Sequence, residues 1–238
     1  MLDISNNFIL LILHQLNYMT MPSSTKENYI KTLYYLHLEN DNISLSELGK
    51  ELEVSKPTAN DMVKKLAIEG LVKNENYKPI RITEKGKKEA AKIIRKHRLS
   101  ETFLFKIMNF GWEEVHVIAE ELEHITTDAF FDRMDELLGF PTEDPHGSAI
   151  PDKNGNFSQR QYKALSTMPV GTKVIVKALK NSSAELLLYL NKKGIQINTE
   201  IEIMQIEDFD GAYTICYDAH SEAVLSRSVC QHLLVNKT

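Results

Sequence analysis

The apolar residues change their spacing along the chain, and the change divides it into parts. From Tyr29 to about Leu138 they recur three and four positions apart, the helical period. From about Lys163 they fall into short runs of strand character. Tyr29, Ile30, Leu33 and Leu36, with His37, predict a first helix after Pro22-Ser23-Ser24-Thr25. Ser23 or Ser24 is its expected cap, and Asn40-Asp41-Asn42 ends the run. Leu45, Leu48 and Leu52 predict a short second helix around Gly49, with Ser44 and Glu47 spaced as a capping box. Glu53-Val54-Ser55 is a tight connection. The third helix opens Ser55-Lys56-Pro57-Thr58, a cap and then a proline tolerated in the first turn. It passes Val63 and Leu66 and stops at Gly70.

Leu71-Val72 and Ile80-Arg81-Ile82 are β-prone, and the polar stretch 73–79 between them makes a small hairpin. Three helices followed by a hairpin, with a short turn between the second and third, is the winged form of the helix-turn-helix. Thr83-Glu84-Lys85-Gly86 then caps a long helix that begins at Lys87 and runs past His97 to Phe105. Its apolar stripe is Ala90, Ile93, Ile94, Leu99, Phe103, Leu104 and Ile107. Helical patterns follow over Trp112–Ile125 and Thr127–Leu138, the latter carrying Phe130, Phe131, Met134, Leu137 and Leu138. So many apolar helices beyond a small DNA-binding module predict a dimerisation layer, which suits a protein reading a two-fold DNA site. Phe140–Gly147 reads as a turn-rich loop and Pro151–Phe157 as an exposed linker. Strands are expected at 173–177, 200–206, 213–217 and 223–225, with a helix at 183–190 among them, a small β-barrel with an inserted helix.

Composition adds a contrast. The 238 residues carry a net charge of −5, with 42% hydrophobic and 26% charged residues, ordinary values for a globular protein. Ser44–Arg98 nevertheless holds 14 Lys/Arg against 8 Asp/Glu, whereas 101–162 holds 4 against 13. A basic segment followed by an acidic one calls for a polyanion on the first and cations on the second. Cys216 and Cys230 are far apart and form no CxxC pair, which argues against a disulfide scaffold or a thiolate zinc site and fits a reducing cytoplasm. Phe8–Leu13 is apolar but too short to span a bilayer. It follows Asp3 rather than a basic stretch, so neither a membrane span nor a signal peptide is expected. No Ser/His/Asp or Cys/His constellation and no phosphate-cradling glycine loop stands out.

The chemistry is concentrated in His116–His124, HVIAEELEH. At 100° per residue, His116, Glu120, Glu123 and His124 fall within one arc. Val115, Ile118, Ala119, Leu122 and Ile125 fall roughly opposite. Two imidazoles and two carboxylates on one face are the donors that bind first-row divalent ions, although a solvated polar face has the same pattern. His97 and Glu101, four apart, share a face of the preceding helix, and Asp144 and His146 add a carboxylate and an imidazole from the loop. For DNA, the exposed candidates on the third helix are Ser55, Lys56, Thr58, Asn60, Asp61 and Lys64, with Lys73, Lys78 and Arg81 at or near the wing.

The segments TKENYIKTLYYL, SKPTANDMVKKLAIEGLV, RKHRL-SE, VHVIAEELEH and DPHGSAIP, with the C-terminal strands, resemble the diphtheria-toxin-repressor and manganese-transport-regulator family of metal-activated repressors. The resemblance covers about Thr25 to the C-terminus. It implies an N-terminal extension at 1–21, a winged helix-turn-helix at 22–87 and a helical metal-binding and dimerisation domain at 88–150. A linker at 151–162 and an SH3-like, ferrous-transport-A-like domain at 163–238 complete the chain. It further implies a cytoplasmic homodimer on a double-stranded DNA operator, activated by Mn²⁺ or Fe²⁺, repressing uptake genes, with no membrane association. The primary site would fall on Asn28, Glu120, Glu123 and His124, and a second on His97, Glu101, His116, Asp144 and His146. Glu185 is the nearest candidate for a ligand from the C-terminal domain, and DNA contact would fall on Ser55, Pro57, Thr58 and their neighbours. Position 120 is Glu where iron-responsive members have cysteine, which makes the site harder. Position 28 is Asn where methionine or aspartate is frequent, and position 31 is Lys where some manganese-type members add a carboxylate.

Two other readings use the same residues. Glu113-x-x-His116 and Glu121-x-x-His124 match the spacing of carboxylate-bridged di-metal enzymes, but those need the two motifs on different helices. A winged-helix regulator sensing an organic effector would leave the histidines structural.

Overall fold

The computed structural model describes residues 23–75, 78–158, 160–217 and 220–238. The apolar run at 8–13 and the extension to residue 21 lie outside the described residues. The chain forms two compact units that meet at Ile93/Ile94.

In the first unit, helices α1 (Ser23–Glu39), α2 (Leu45–Glu51) and α3 (Lys56–Ile68) precede a hairpin of β1 (Val72–Lys73) and β2 (Arg81–Ile82). The local signals account for most boundaries. Ser44 and Glu47 form the reciprocal capping box, Ser55 caps α3 with Pro57 in the first turn, and Gly70 ends it at φ +73°. Ser24 lies inside α1, and the expected cap at its start falls at the edge of the described residues. Leu33, Ile43, Leu48, Val63, Leu66, Leu71 and Ile80 fill the core between the helices and the hairpin. The sequence alternation therefore leaves the outer face of α3 polar.

Helix α4 (Glu84–Lys106) starts in the first unit and continues into the second. There it packs with α5 (Val115–Leu122) and α6 (Asp128–Leu137). Two small apolar clusters hold these helices, one of Leu99, Phe131, Met134 and Ile150 and one of Leu104, Val115 and Ala119. α5 is shorter than the periodicity of 112–125 predicts. Its first turn lacks a side-chain cap, and Glu123 and His124 lie in the turn that follows it. Polar contacts join these helices to the chain beyond them. Arg95 binds the Asp135 carboxylate at 2.5 Å and the Pro151 carbonyl at 2.7 Å.

The C-terminal strands form an antiparallel sheet in the order β3-β8-β4-β5-β6-β7: β3 (Lys163–Ala164), β4 (Lys173–Leu179), β5 (Glu200–Ile206), β6 (Tyr213–Tyr217), β7 (His220–Leu225) and β8 (Leu233–Lys237). Helix α7 (Ala184–Lys193) is inserted between β4 and β5, capped by Ser183 and closed by Gly194 at φ +70°. The four expected strands and the inserted helix are present. Missing from the expectation were β8, which pairs centrally with β4, the two-residue β3, and α8 (Arg227–His232) before β8. Leu233 and Val235 alternate too briefly after a polar helix to stand out.

The loop carrying Asp144 and His146 is seated directly on this sheet. The Glu143–Ala149 bridge closes it, and the amide of Leu179 in β4 donates to the His146 carbonyl at 2.9 Å. Gly147 sits at φ +81°, and a Cβ there would lie 2.1 Å from the Lys177 carbonyl oxygen. Only glycine permits both that backbone and that approach. We expect Gly147→Ala to destabilise the protein by about 3 kcal/mol, adding left-handed strain to forced displacement of β4. A thermal unfolding midpoint within a degree of the parent would refute this account of the loop.

Candidate metal centre

Helix α4 presents His97 and Glu101 one turn apart, and α5 presents His116 and Glu120 one turn apart. The turn after α5 adds Glu123 and His124, and the sheet-seated loop adds Asp144 and His146. His97 is the hub. Its Nδ1 lies 2.6 Å from Glu123 Oε2, and its Nε2 lies 3.0 Å from Glu101 Oε1 and 3.1 Å from His116 Nδ1. His116 Nδ1 is 3.3 Å from the same Glu101 oxygen, and its Nε2 is 3.6 Å from Glu120 Oε1. His124 Nε2 is 3.9 Å from Glu123 Oε1, and His146 Nδ1 is 3.8 Å from Glu101 Oε2.

Burial makes these contacts electrostatically strong. Glu123 is fully buried, Glu101 is 3% exposed and His97 6%, whereas the His116 side chain is half exposed. Burial alone would lower the His97 pKa, but hydrogen bonds to Glu101 and Glu123 raise it to about 9. Burial would likewise raise Glu101, yet His116 and His97 hold its carboxyl well below the usual carboxylate range. Asp144 is shifted upward by burial and by the neighbouring Glu101 charge, against Arg98 and His146. Its Oδ1 accepts from the amides of His146 and Ser148 at 2.8 and 2.9 Å, and its Oδ2 faces Arg98 Nε at 3.5 Å.

Three groupings bring one donor atom from each member to within 4.8 Å of the others: His97/Glu101/His116, His97/Glu120/Glu123 and Glu101/Asp144/His146. Every residue assigned to the second site is thus brought together around Glu101. Of the primary set, Glu120 and Glu123 converge and His124 adjoins Glu123. Asn28 lies on α1 in the other unit, where its Oδ1 is buried without a hydrogen-bond partner. Glu185 is exposed in the first turn of α7 and belongs to none of the three groupings. Glu113 instead accepts from Asn191 at 3.0 Å and Glu121 is exposed, so neither Glu-x-x-His pair assembles a di-metal motif.

The donors are imidazole nitrogens and carboxylate oxygens, with neither described cysteine among them, a set that fits a divalent first-row ion of intermediate to hard character. Sequence reasoning missed two residues that shape the site, Arg98 and Trp112. Trp112 is the one tryptophan of the chain, and its buried indole had to find an acceptor.

The DNA candidates also have a common placement. Ser55, Lys56, Pro57, Thr58, Asp61 and Lys64 are exposed and Asn60 is half-buried, while Ala59, Met62, Val63 and Leu66 face the core. Lys78 and Arg81 are exposed on the wing, Lys78 with Glu75 at 2.5 Å.

Family models match in the same order as these parts. Residues 21–80 match the iron-dependent repressor N-terminal DNA-binding domain, 83–152 its metal-binding and dimerisation domain, and 163–237 the FeoA domain. The iron-dependent repressor IdeR of Mycobacterium tuberculosis (strain ATCC 25618 / H37Rv) is 26% identical over 225 residues, 90% of this chain and 97% of that protein. A manganese-dependent transcriptional repressor in complex with manganese superposes with a TM-score of 0.79 at 29% identity, over 90% of this chain and all of that one. The structure of ScaR with bound Zn²⁺ gives 0.73 at 33% identity, over 90% and 99%. With all three parts matched in order, the chain belongs to the iron-dependent (diphtheria-toxin) repressor family of metal-dependent transcriptional repressors.

Proposed function

We propose that this chain is a cytoplasmic, metal-activated repressor that binds a two-fold DNA operator as a homodimer. It lowers transcription of uptake genes for Mn²⁺ or Fe²⁺ when the ion is abundant. The observation that carries the proposal is the convergence of His97, Glu101, His116, Glu120 and Glu123 from separate elements into groupings of metal-donor atoms. Such convergence of buried ionisable groups is costly unless an ion or an equivalent cation compensates it. In this reading the chain is a regulator and carries no catalytic residues. Among the described residues no helix is long and apolar enough to cross a membrane. The parts are taken as 1–21, 22–87, 88–150, 151–162 and 163–238, as the sequence pattern and the resemblance divide them.

Glu120, Glu123 and His124, with Asn28, would hold one ion. Asn28 enters this set as the family resemblance implies it. His97, Glu101, His116, Asp144 and His146 would hold a second, from two groupings that share Glu101. A bound divalent ion supplies positive charge that lets these carboxylates and imidazoles come together. Where those side chains meet best in the DNA-competent dimer, ligation free energy favours that conformer, and by linkage DNA raises metal affinity by the same factor. On α3, Ser55, Pro57, Thr58 and Asn60 would address base edges and the backbone near them. Asp61 would accept from a cytosine amine, and Lys56, Lys64, Lys78 and Arg81 would meet phosphates.

Two measurements test this reading. Glu123→Ala combined with His124→Ala should abolish Mn²⁺-stimulated operator binding in a gel-shift series and leave the dimer intact by light scattering; unchanged metal dependence would sink the assignment. Lys64→Ala and Arg81→Ala should each weaken operator binding and flatten the plot of log affinity against log salt by about one unit per lost phosphate contact per half-site. An unchanged slope would remove those residues from the DNA interface.

A further inference from the structure

One contact chain links the FeoA-like domain to an imidazole of the metal centre. Asn191 lies near the end of α7, and its Oδ1 accepts from the Trp112 indole Nε1–H at 2.7 Å. Its Nδ2 donates to Glu113 Oε2 at 3.0 Å. The indole nitrogen is only a donor and the carboxylate an acceptor, so the amide orientation is determined by its neighbours. Trp112 is 6% exposed and belongs to the apolar core of the sheet domain, together with Leu187, Leu190 and Ile195. The carbonyl of the same residue lies 2.8 Å from His146 Nε2, and the two rings are stacked at 6.0 Å with 23° between planes. His146 is 2% exposed. A carbonyl can only accept, so Nε2 carries the proton and donates. In the neutral imidazole, the form that can bind a metal, the lone pair is then on Nδ1, the nitrogen 3.8 Å from Glu101 Oε2. That separation is too long for a hydrogen bond, and the two residues belong to one of the donor groupings.

We propose that Asn191 and Trp112 are positioning residues for His146: the FeoA-like domain, through the Asn191–Trp112 hydrogen bond, places the Trp112 carbonyl so that His146 presents Nδ1 as a metal donor beside Glu101. The C-terminal domain thereby sets the affinity of the Glu101/His146 cluster through the carbonyl that orients His146. A ligating imidazole whose other nitrogen is tied to a carbonyl is held in one tautomer and one orientation, and loss of such an outer partner typically weakens metal binding by about 10–100-fold. The amide of residue 191 is specific to the task. Aspartate would keep the acceptor for the indole but face the Glu113 carboxylate, and leucine would supply neither partner.

The proposal rests on the reading that Glu101 and His146 hold a divalent ion, so the experiment separates the two. Mn²⁺ alone is titrated into the full-length dimer, with free Mn²⁺ followed by electron paramagnetic resonance. Glu101→Gln and His146→Gln should each remove one equivalent of bound Mn²⁺ per chain; if neither does, the reading of the site fails. If they do, Asn191→Leu should weaken that same equivalent by about tenfold and change the Glu120/Glu123/His124 equivalent much less. Asn191→Asp should be impaired alone and recover with Glu113→Gln, which exchanges donor and acceptor across the same contact. In the metal-free protein, ¹⁵N-edited spectra should show His146 as the Nε2–H tautomer in the parent and in the double variant, and a mixture in Asn191→Leu. Unchanged affinity and tautomer in a folded Asn191→Leu protein would overturn the positioning role. Equal weakening of both equivalents would also overturn it, because a general loss of packing does not single out one ion.

Discussion

Two carboxylates lie where water cannot compensate them, and the metal-binding region is arranged around that constraint. Glu123 is fully buried and Glu101 nearly so. An unpaired charge at such depth costs several kcal/mol. The groups meeting both carboxylates are imidazoles, and His97 meets the two together, one nitrogen on each. Hydrogen bonds to both carboxylates favour the imidazolium form of His97, the cation that offsets their burial. The consequence for packing is visible in the helices. Instead of one continuous core, α4, α5 and α6 have two small separate apolar clusters, and charged side chains brace the remainder. Arg95 and Lys96 reach the Pro151 and Ile125 carbonyls, and Arg98 reaches the Ala149 carbonyl and the Asp144 carboxylate.

Much of this was legible before any coordinates because it is written in local chemistry. Caps, a proline in a first turn and glycines at positive φ depend on neighbours a few residues away, so Ser44, Ser55 and Gly70 announced the helix ends around them. The polar face of α3 followed from the same periodicity that buries Val63 and Leu66. Ligand candidates were readable for a similar reason: His97/Glu101 and His116/Glu120 are one turn apart, and one turn apart is adjacent on a helix.

The features that stayed hidden depend on contacts distant in sequence. Strand β8 takes its place from pairing with β4 some sixty residues earlier, and a five-residue strand carries too little alternation to declare that. Trp112 has a pattern that fits a helix facing its neighbours, yet it precedes α5 and its ring is in the core of the sheet domain. The early end of α5 has a similar origin. Glu123 keeps an αR backbone as the cap residue, so its side chain continues the helical arc toward His97 although the regular helix has stopped.

The arc in HVIAEELEH first divides into two ligand sets, Glu120/Glu123/His124 and His116 with the residues of the preceding helix. The geometry does not keep those sets apart. His97, assigned to the second, is hydrogen-bonded to Glu123 of the first, and His116, also of the second, faces Glu120 of the first. Each imidazole therefore touches carboxylates of both sets. Groups sharing partners in this way do not contribute additively, since moving one changes what the other can bind. An ion held by His97 and His116 would take up their nitrogens and alter the surroundings of Glu123 and Glu120. An ion held by Glu120 and Glu123 must in turn displace the imidazoles from those carboxylates. Reciprocity requires the coupling free energy to be the same in both directions. On the proposed assignment the arrangement is one coupled centre whose two ligand sets are built on a shared wall, and its response to metal concentration would be a property of the pair.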